Sequence, residues 1–414
     1  MTRKLRSVKL KGEIHIPSSK SDGQRALLLA VLAQGTSLIK NIGSSEDELA
    51  MLQCVKDLGA TVKREGSTLI VTGGLKSGSI ELQVGESGLA SRLLVPVSTA
   101  IFESVVISGQ GSLMNRNMTF FERTLPQMGV QVELNEGKLP IRMKGHLQPG
   151  VYEVDGSESS QYISGLLIAL SLLSADSQLV VRDLKSQPYL KMTLNSMKQF
   201  GVQPNYTDFT LFEIKGKQGF QSCEYAVEGD WSSASYWLVA SALGQDVKVS
   251  GLDMSSAQAD RMILQAFLSA SCRVVREGSY LSIDGSNRIP LNFDATNCPD
   301  LFPVLAVYGT MTPGVSKIRG VHRLANKESD RAKAIISEFG KLGVKVEIEE
   351  DTLLIHGGSV LTGGQVDAHH DHRIAMCLAI LGSFSQFEVQ IEGGDAVRKS
   401  YPGFWDDLEK LKVN

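Results

Sequence analysis

Two hydrophobic rhythms alternate along the chain, and the alternation itself repeats. A run with apolar residues at helical spacing ends in a small residue. Two stretches of alternating apolar and polar residues follow, split by a polar turn and closed by glycine. The pattern occupies Leu52 to Gly73, with Gly59 as the small residue, and returns around Gly129, Gly201, Ser271 and Gly343. Successive markers lie 70, 72, 70 and 72 residues apart. Each copy predicts a helix, a C-terminal cap and a β-hairpin.

A sixth helix, Phe404 to Leu411, begins the pattern again and runs out of chain. At the other end, Lys4 to Ser19 alternates like a strand pair with no helix before it. The spacing therefore predicts six α/β units with the N-terminus completing the last. Grouped by three, they give one domain over 19–227 and a second formed by 1–18 with 228–414. So long a period exceeds the roughly 20–50 residues of solenoid repeats and points to a closed two-domain α/β architecture.

Composition narrows the function classes. The 414 residues carry a net charge of −3, so no whole-chain field draws in nucleic acid or an acidic membrane. The most apolar stretch, Ile163 to Leu173, falls short of the roughly 20 residues that span a bilayer. Five scattered cysteines without a CxxC pair suit a reducing compartment. A soluble, cytoplasmic protein is expected, acting on small molecules as a monomer. If its ligands are anionic, positive charge must be concentrated locally.

The chemistry sits where the units depart from one another. Lys20, Ser21 and Arg25 lie at a loop-to-helix junction, where free N–H groups and the helix dipole favour an anion. Gly85 and Gly88 precede a helix carrying Arg92 and allow a ligand to approach the backbone. Ser159, Ser160 and Gln161 open an apolar helix with more donors than a cap needs. In the second half, Asp300 follows a proline at a helix start, where the dipole favours its ionised form. Lys327, Glu328, Asp330 and Arg331 crowd into little more than one turn. Lys327 and Arg331 repel at that spacing, which suggests an anion between them. Asp371, His372 and Arg373 precede another apolar helix, and Arg398 and Lys399 follow near the end. The run His369 to His372 has no metal-ligand spacing, and in a strand its neighbours would face opposite ways, so no metal is expected.

Taken together, the segments resemble the EPSP synthase (3-phosphoshikimate 1-carboxyvinyltransferase) family of enolpyruvyl transferases. The resemblance rests on the Ser-Lys-Ser loop at 19–21, Asp155-Gly-Ser-Glu-Ser-Ser-Gln161, Ser186 to Tyr189, Glu228 to Tyr236, Pro299-Asp300, Lys327 to Arg331 and Asp371 to Met376. It implies an inside-out α/β barrel of two domains, each of three βαβαββ units. It also implies transfer of the enolpyruvyl group of phosphoenolpyruvate to the 5-hydroxyl of shikimate 3-phosphate, a step of aromatic amino acid biosynthesis, without metal or organic cofactor. Shikimate 3-phosphate would be held by Lys20, Ser21, Arg25, Ser159, Ser160, Gln161, Ser186, Asp300 and Lys327. Phosphoenolpyruvate would be held by Lys20, Gly88, Arg116, Gln161, Arg331, Arg373 and Lys399. Asp300 would act as base and Glu328 as acid, with Lys20 or Lys399 able to share the acid role, and domain closure would bring the two halves together.

Two other readings carry different expectations. The related transferase acting on UDP-N-acetylglucosamine has Lys-Asn where this chain has Lys20-Ser21, and a loop cysteine that Gln110 to Met118 lacks. A non-catalytic anion-binding module of the same fold would keep the cations and lose the proton-transfer pair, yet Asp300 and Glu328 are both present. One departure from the family bears on inhibition: Glu86-Ser-Gly-Leu89 stands where members have Asn-Ala-Gly-Thr or Asn-Ser-Gly-Thr. The added bulk and negative charge are expected to weaken binding of the anionic inhibitor glyphosate. An inhibition constant above that of a member with Asn and Thr bears this out, and an equal constant contradicts it.

Overall fold

The five small residues that mark the repeat share one backbone role. In the computed structural model, which describes residues 1–413, all five have positive φ: Gly59 128°, Gly129 86°, Gly201 82°, Ser271 59° and Gly343 83°. Each follows a helix end, and the residue after it donates its N–H back to the carbonyl five positions earlier. Ala60 bonds to Val55 at 3.2 Å, Val130 to Leu125 at 3.1 Å, Val202 to Met197 at 2.9 Å, Cys272 to Phe267 at 2.9 Å and Val344 to Phe339 at 3.0 Å. Both residues of every pair are buried. This is the left-handed cap with its hydrophobic contact. It fixes the direction in which each hairpin leaves its helix.

The sheets repeat with the caps. Ser79–Gln83 runs parallel to Ser104–Ser108, with the helix Gly88–Ile101 between them; Lys138–Lys144 then pairs antiparallel, and Gln131–Asn135 forms the edge. Val151–Asp155 begins a sheet of the same order, and Asn292–Asp294 begins another. Two sheets borrow their first strand from far along the chain. Glu224–Ala226 lies parallel to Thr36–Lys40, and Lys9–His15 lies parallel to Asp246–Ser250. The sixth sheet, Gly364–Asp367 beside Val389–Glu392, is completed by Arg3–Leu5 alone. The N-terminus thus serves two units: Arg3–Leu5 closes the last, while Lys9–His15 opens the fourth and takes Lys412–Val413 along its other edge.

The chain divides into two compact units, Ser18–Val227 and the remainder formed by Met1–Pro17 with the chain from Glu228 onward. In the first, the helices Lys20–Leu32, Gly88–Ile101 and Ser160–Ser171 are buried along nearly their whole length. In the second, the same holds for Trp231–Ala242, Phe302–Thr310 and His372–Gly382. Helices apolar all round belong in a core, and the sheets surround them. Within each unit the buried helices pack on one another. Gly165 shows how closely: a Cβ there would stand 2.4 Å from the carbonyl oxygen of Arg92 on the neighbouring helix. None of the described helices is long and apolar enough to cross a membrane.

Candidate active site

All six buried helices begin with chemistry-bearing residues, and side-chain contacts draw the three starts of each unit together. In the unit Ser18–Val227, Lys20 opens its helix and its Nζ donates to Asp47 Oδ2 at 2.7 Å. Asp47 is held there by the first turn of Glu46–Leu58, where Ser45 and Glu48 form a reciprocal capping box. Burial pushes the Glu48 carboxyl up, against its hydrogen bonds from Ser45, Gly43 and Ser18. Gln24, one turn beyond Lys20, accepts from Ser87 Oγ at 2.7 Å, and Ser87 caps the helix that Gly88 opens. Arg92 Nη1 on that helix donates to Gln161 Oε1 at 2.9 Å in the first turn of the third. The Arg92 guanidinium also lies 5.0 Å from the centre of the Tyr162 ring.

Gly88 is required by what crowds against it. A Cβ there would lie 2.6 Å from Arg116 Nη1 and 2.8 Å from Arg92 Nη1. Two guanidinium groups therefore flank one helix N-terminus, a concentration of positive potential suited to an anion. Arg25 plays a different part. It is fully buried and donates to Thr193 Oγ1 at 2.8 Å, Ser21 O at 2.7 Å and Tyr189 O at 3.2 Å. Burial lowers its pKa to about 10, against the opposing effect of Asp22 and two tyrosines. Arg25 thereby ties Ser21 to the helix Gln187–Gln199, whose preceding residue, Ser186, holds a left-handed φ of 55°. Backbone in that region costs roughly 1–3 kcal/mol for a non-glycine and clusters at functional sites.

The second unit is organised by Arg331. It is 1% exposed, and its Nε donates to Asp371 Oδ2 at 2.8 Å, Nη1 to Asp300 Oδ1 at 2.6 Å, and Nη2 to Glu328 Oε2 at 2.7 Å. Asp371 caps the helix His372–Gly382 through the Arg373 N–H. Arg373 in turn donates from Nη2 to Asp300 Oδ2 at 3.0 Å and Ser232 Oγ at 3.1 Å, joining the starts of all three buried helices. Lys327 Nζ reaches Asp300 Oδ1 at 3.2 Å. Burial pushes the Asp300 carboxyl up, but Arg373, Lys327 and Arg331 outweigh it and hold the group well below the usual carboxylate range. For Arg331 burial works downward, and Asp371, Glu328 and Asp300 overcome it. Lys399 is buried at the end of the turn Gly394–Lys399, which packs on the His372–Gly382 helix.

Three local readings of the sequence change here. Lys327 and Glu328 do not share a helical turn with Arg331; they lie before the helix Arg331–Lys341, which Asp330 caps. The anion between Lys327 and Arg331 is the protein's own Asp300 carboxylate, bonded by both to one oxygen. His369 and His370 form no strand: both have left-handed φ, 51° and 53°, and His369 Nε2 lies 2.8 Å from Glu338 Oε1. The turn they make presents Asp371 to Arg331. Asp47 and Asp260 carry no signal in the sequence, because an acidic residue in a first helical turn has an ordinary explanation in the dipole. Arg92, placed by the sequence along the helix after Gly88, is buried at 9% exposure.

Comparison with known proteins bears on the family and the fold. A family model described as EPSP synthase (3-phosphoshikimate 1-carboxyvinyltransferase) matches residues 5–408. Proteins named 3-phosphoshikimate 1-carboxyvinyltransferase from Clostridium kluyveri and Clostridium perfringens are 37% and 38% identical to the chain. Those likenesses extend over 97% of this chain and 95% and 96% of theirs. An EPSP synthase structure from Acinetobacter baumannii has the same fold, with a TM-score of 0.81 at 22% identity, covering 100% of this chain and 98% of that one.

The energetics of the Arg331 cluster differ from those of a surface pair. Lys333–Asp330, with Lys333 84% exposed, belongs to the class of pairs whose median contribution is about 0–1 kcal/mol. Removing one partner of a buried pair strands the other charge and costs about 3–5 kcal/mol. Asp371→Ala leaves Arg331 with Asp300 and Glu328 but removes a buried partner and a helix cap, so it is expected to lower unfolding stability by about 3 kcal/mol, measured by urea denaturation, while Asp330→Ala loses a cap worth about 1 kcal/mol. Equal, small effects from both would contradict this account of the buried cluster.

Proposed function

The chain belongs to the EPSP synthase family, and from that membership we propose that it transfers the enolpyruvyl group of phosphoenolpyruvate to the 5-hydroxyl of shikimate 3-phosphate, releasing phosphate. The observation that carries this reading is the pairing of Asp300 with three cations beside Glu328. Both substrates are polyanions, and the cations that hold Asp300 are groups that would hold them.

The reaction runs by addition and elimination. In the addition, Asp300 accepts the 5-hydroxyl proton as that oxygen bonds to C2 of phosphoenolpyruvate, and an acid delivers a proton to C3. The tetrahedral intermediate then loses phosphate from C2 and a proton from C3, restoring the double bond. Glu328 is assigned the acid role, shared with Lys20 or Lys399. Lys20, Ser21, Arg25, Ser159, Ser160, Gln161, Ser186 and Lys327 are assigned to shikimate 3-phosphate. Lys20, Gly88, Arg116, Gln161, Arg331, Arg373 and Lys399 are assigned to phosphoenolpyruvate.

Asp300, as it stands, is a weak base, because its cations stabilise the ionised form. Substrate phosphate and carboxylate groups compete for the same N–H donors. As Lys327, Arg331 and Arg373 turn to them, the proton affinity of Asp300 rises. Binding of the anions therefore switches the base on.

Phosphate release from shikimate 3-phosphate and phosphoenolpyruvate tests the assignment. Asp300→Ala is expected to lower kcat by about 10²–10⁴, the usual contribution of a positioned proton-transfer group. Parent-level turnover in that variant would remove Asp300 from the mechanism, and no release by the parent protein would favour a non-catalytic anion-binding module.

A further inference from the structure

One carboxylate of the second unit has no part in the scheme above. Asp260 lies in the short turn Ala259–Met262 and is 1% exposed. Its Oδ2 accepts a hydrogen bond from Ser232 Oγ, and its Oδ1 is buried with no hydrogen-bond partner among the described residues. Arg373 Nη2 is 3.9 Å from Oδ2, too far for a hydrogen bond. The same Nη2 donates to Ser232 Oγ at 3.1 Å and to Asp300 Oδ2 at 3.0 Å.

A hydroxyl has one proton. Because Ser232 gives it to Asp260, the serine oxygen is left to accept from Arg373. Both protons of Nη2 are then committed, one to Ser232 and one to Asp300, which fixes the guanidinium in place and orientation. Without an acceptor at position 260 the serine proton is no longer held away from Arg373, and the serine oxygen becomes a less polarised, less well oriented acceptor. Accordingly we propose that Asp260 is a positioning residue which, by polarising Ser232, aims Arg373 at its ligand. This rests on the assignment of Arg373 to phosphoenolpyruvate.

The relay does not need a negative charge on Asp260. The groups that face it are Arg373, Asp300, Asp230 and Ser232, with Cys298 nearby. Burial lifts its pKa to about 7 despite Arg373, with Asp300 and Asp230 adding to the rise. A proton taken up there has the unpartnered Oδ1 to occupy, leaving Oδ2 as acceptor. An asparagine, with its carbonyl oxygen toward Ser232, preserves the same acceptor.

Steady-state kinetics of the full-length protein separates this role from a structural one. Asp260→Ala and Ser232→Ala are each expected to raise KM for phosphoenolpyruvate by about tenfold, the size of one hydrogen bond to a charged group. KM for shikimate 3-phosphate should stay within about twofold. The double variant should be no worse than either single one, because both break the same relay. Asp260→Asn should stay near the parent. If Asp260→Ala does not fold, as judged by circular dichroism, Ser232→Ala and Asp260→Asn carry the test. An unchanged phosphoenolpyruvate KM in Asp260→Ala or Ser232→Ala, multiplicative losses in the double variant, or Asp260→Asn as impaired as the alanine variant would each overturn the proposal. Arg373→Ala is the control. If it leaves the phosphoenolpyruvate KM unchanged, the assignment of Arg373 fails; if it raises that KM while Asp260→Ala does not, the relay alone fails.

Discussion

A cation buried without a counter-charge is one of the most expensive things a fold can contain. Arg331, at 1% exposure, meets that constraint with three carboxylates, Asp300, Glu328 and Asp371. The rest of the second unit's site follows from it. Asp371 must sit where it can both cap a helix and reach the guanidinium, which the left-handed turn at His369 and His370 provides. Asp300 must face Arg331 with one oxygen and Arg373 with the other. The N–H donors that the proposed function assigns to anionic ligands are thus bonded to the protein's own carboxylates.

The repeat supplies the geometry on which this chemistry is placed. Identical caps at Gly59, Gly129, Gly201, Ser271 and Gly343 launch similar hairpins, so similar sheets enclose similar buried helices. Three buried helices that start side by side bring three N-termini to one place in each unit. There the free N–H groups and the dipoles favour negative charge before any side chain contributes. Lys20, Gly88 and Gln161 stand at the three starts in one unit, and Ser232, Asp300 and Arg373 in the other. Glu86, the departure from the family loop, accepts from Ser112 N at 3.1 Å and Ser112 Oγ at 2.8 Å, which directs its charge at the turn leading to Arg116.

Periodicity made the architecture readable in advance, because caps and hairpins are local and their residues recur. The exchanged strands were less legible. Lys9–His15 alternates as a strand should, but nothing in its own residues says that its partner is Asp246–Ser250. The same boundary applies to the site. Lys20, Arg331 and Arg373 stand out as cations at helix starts, whereas the partners that orient them are acids with ordinary local explanations. Asp47 and Asp260 acquire meaning only through contacts with residues distant in sequence. The helical spacing expected of Lys327 and Arg331 does not form, and the carboxylate that both of them bond, Asp300, is distant in sequence.

In the proposed reaction, ligand anions exchange places with Asp300 on the site's cations and so raise its proton affinity. The most direct measurement is the pKa of Asp300 itself, followed by carbon-13 NMR of its carboxyl carbon and assigned by comparison with Asp300→Asn. The titration is run on the protein alone and again with shikimate 3-phosphate and inorganic phosphate, a pair that does not react. The account predicts a pKa well below the usual carboxylate range in the empty protein and a clear rise when both ligands are bound. A value that stays low, or falls further, would contradict it.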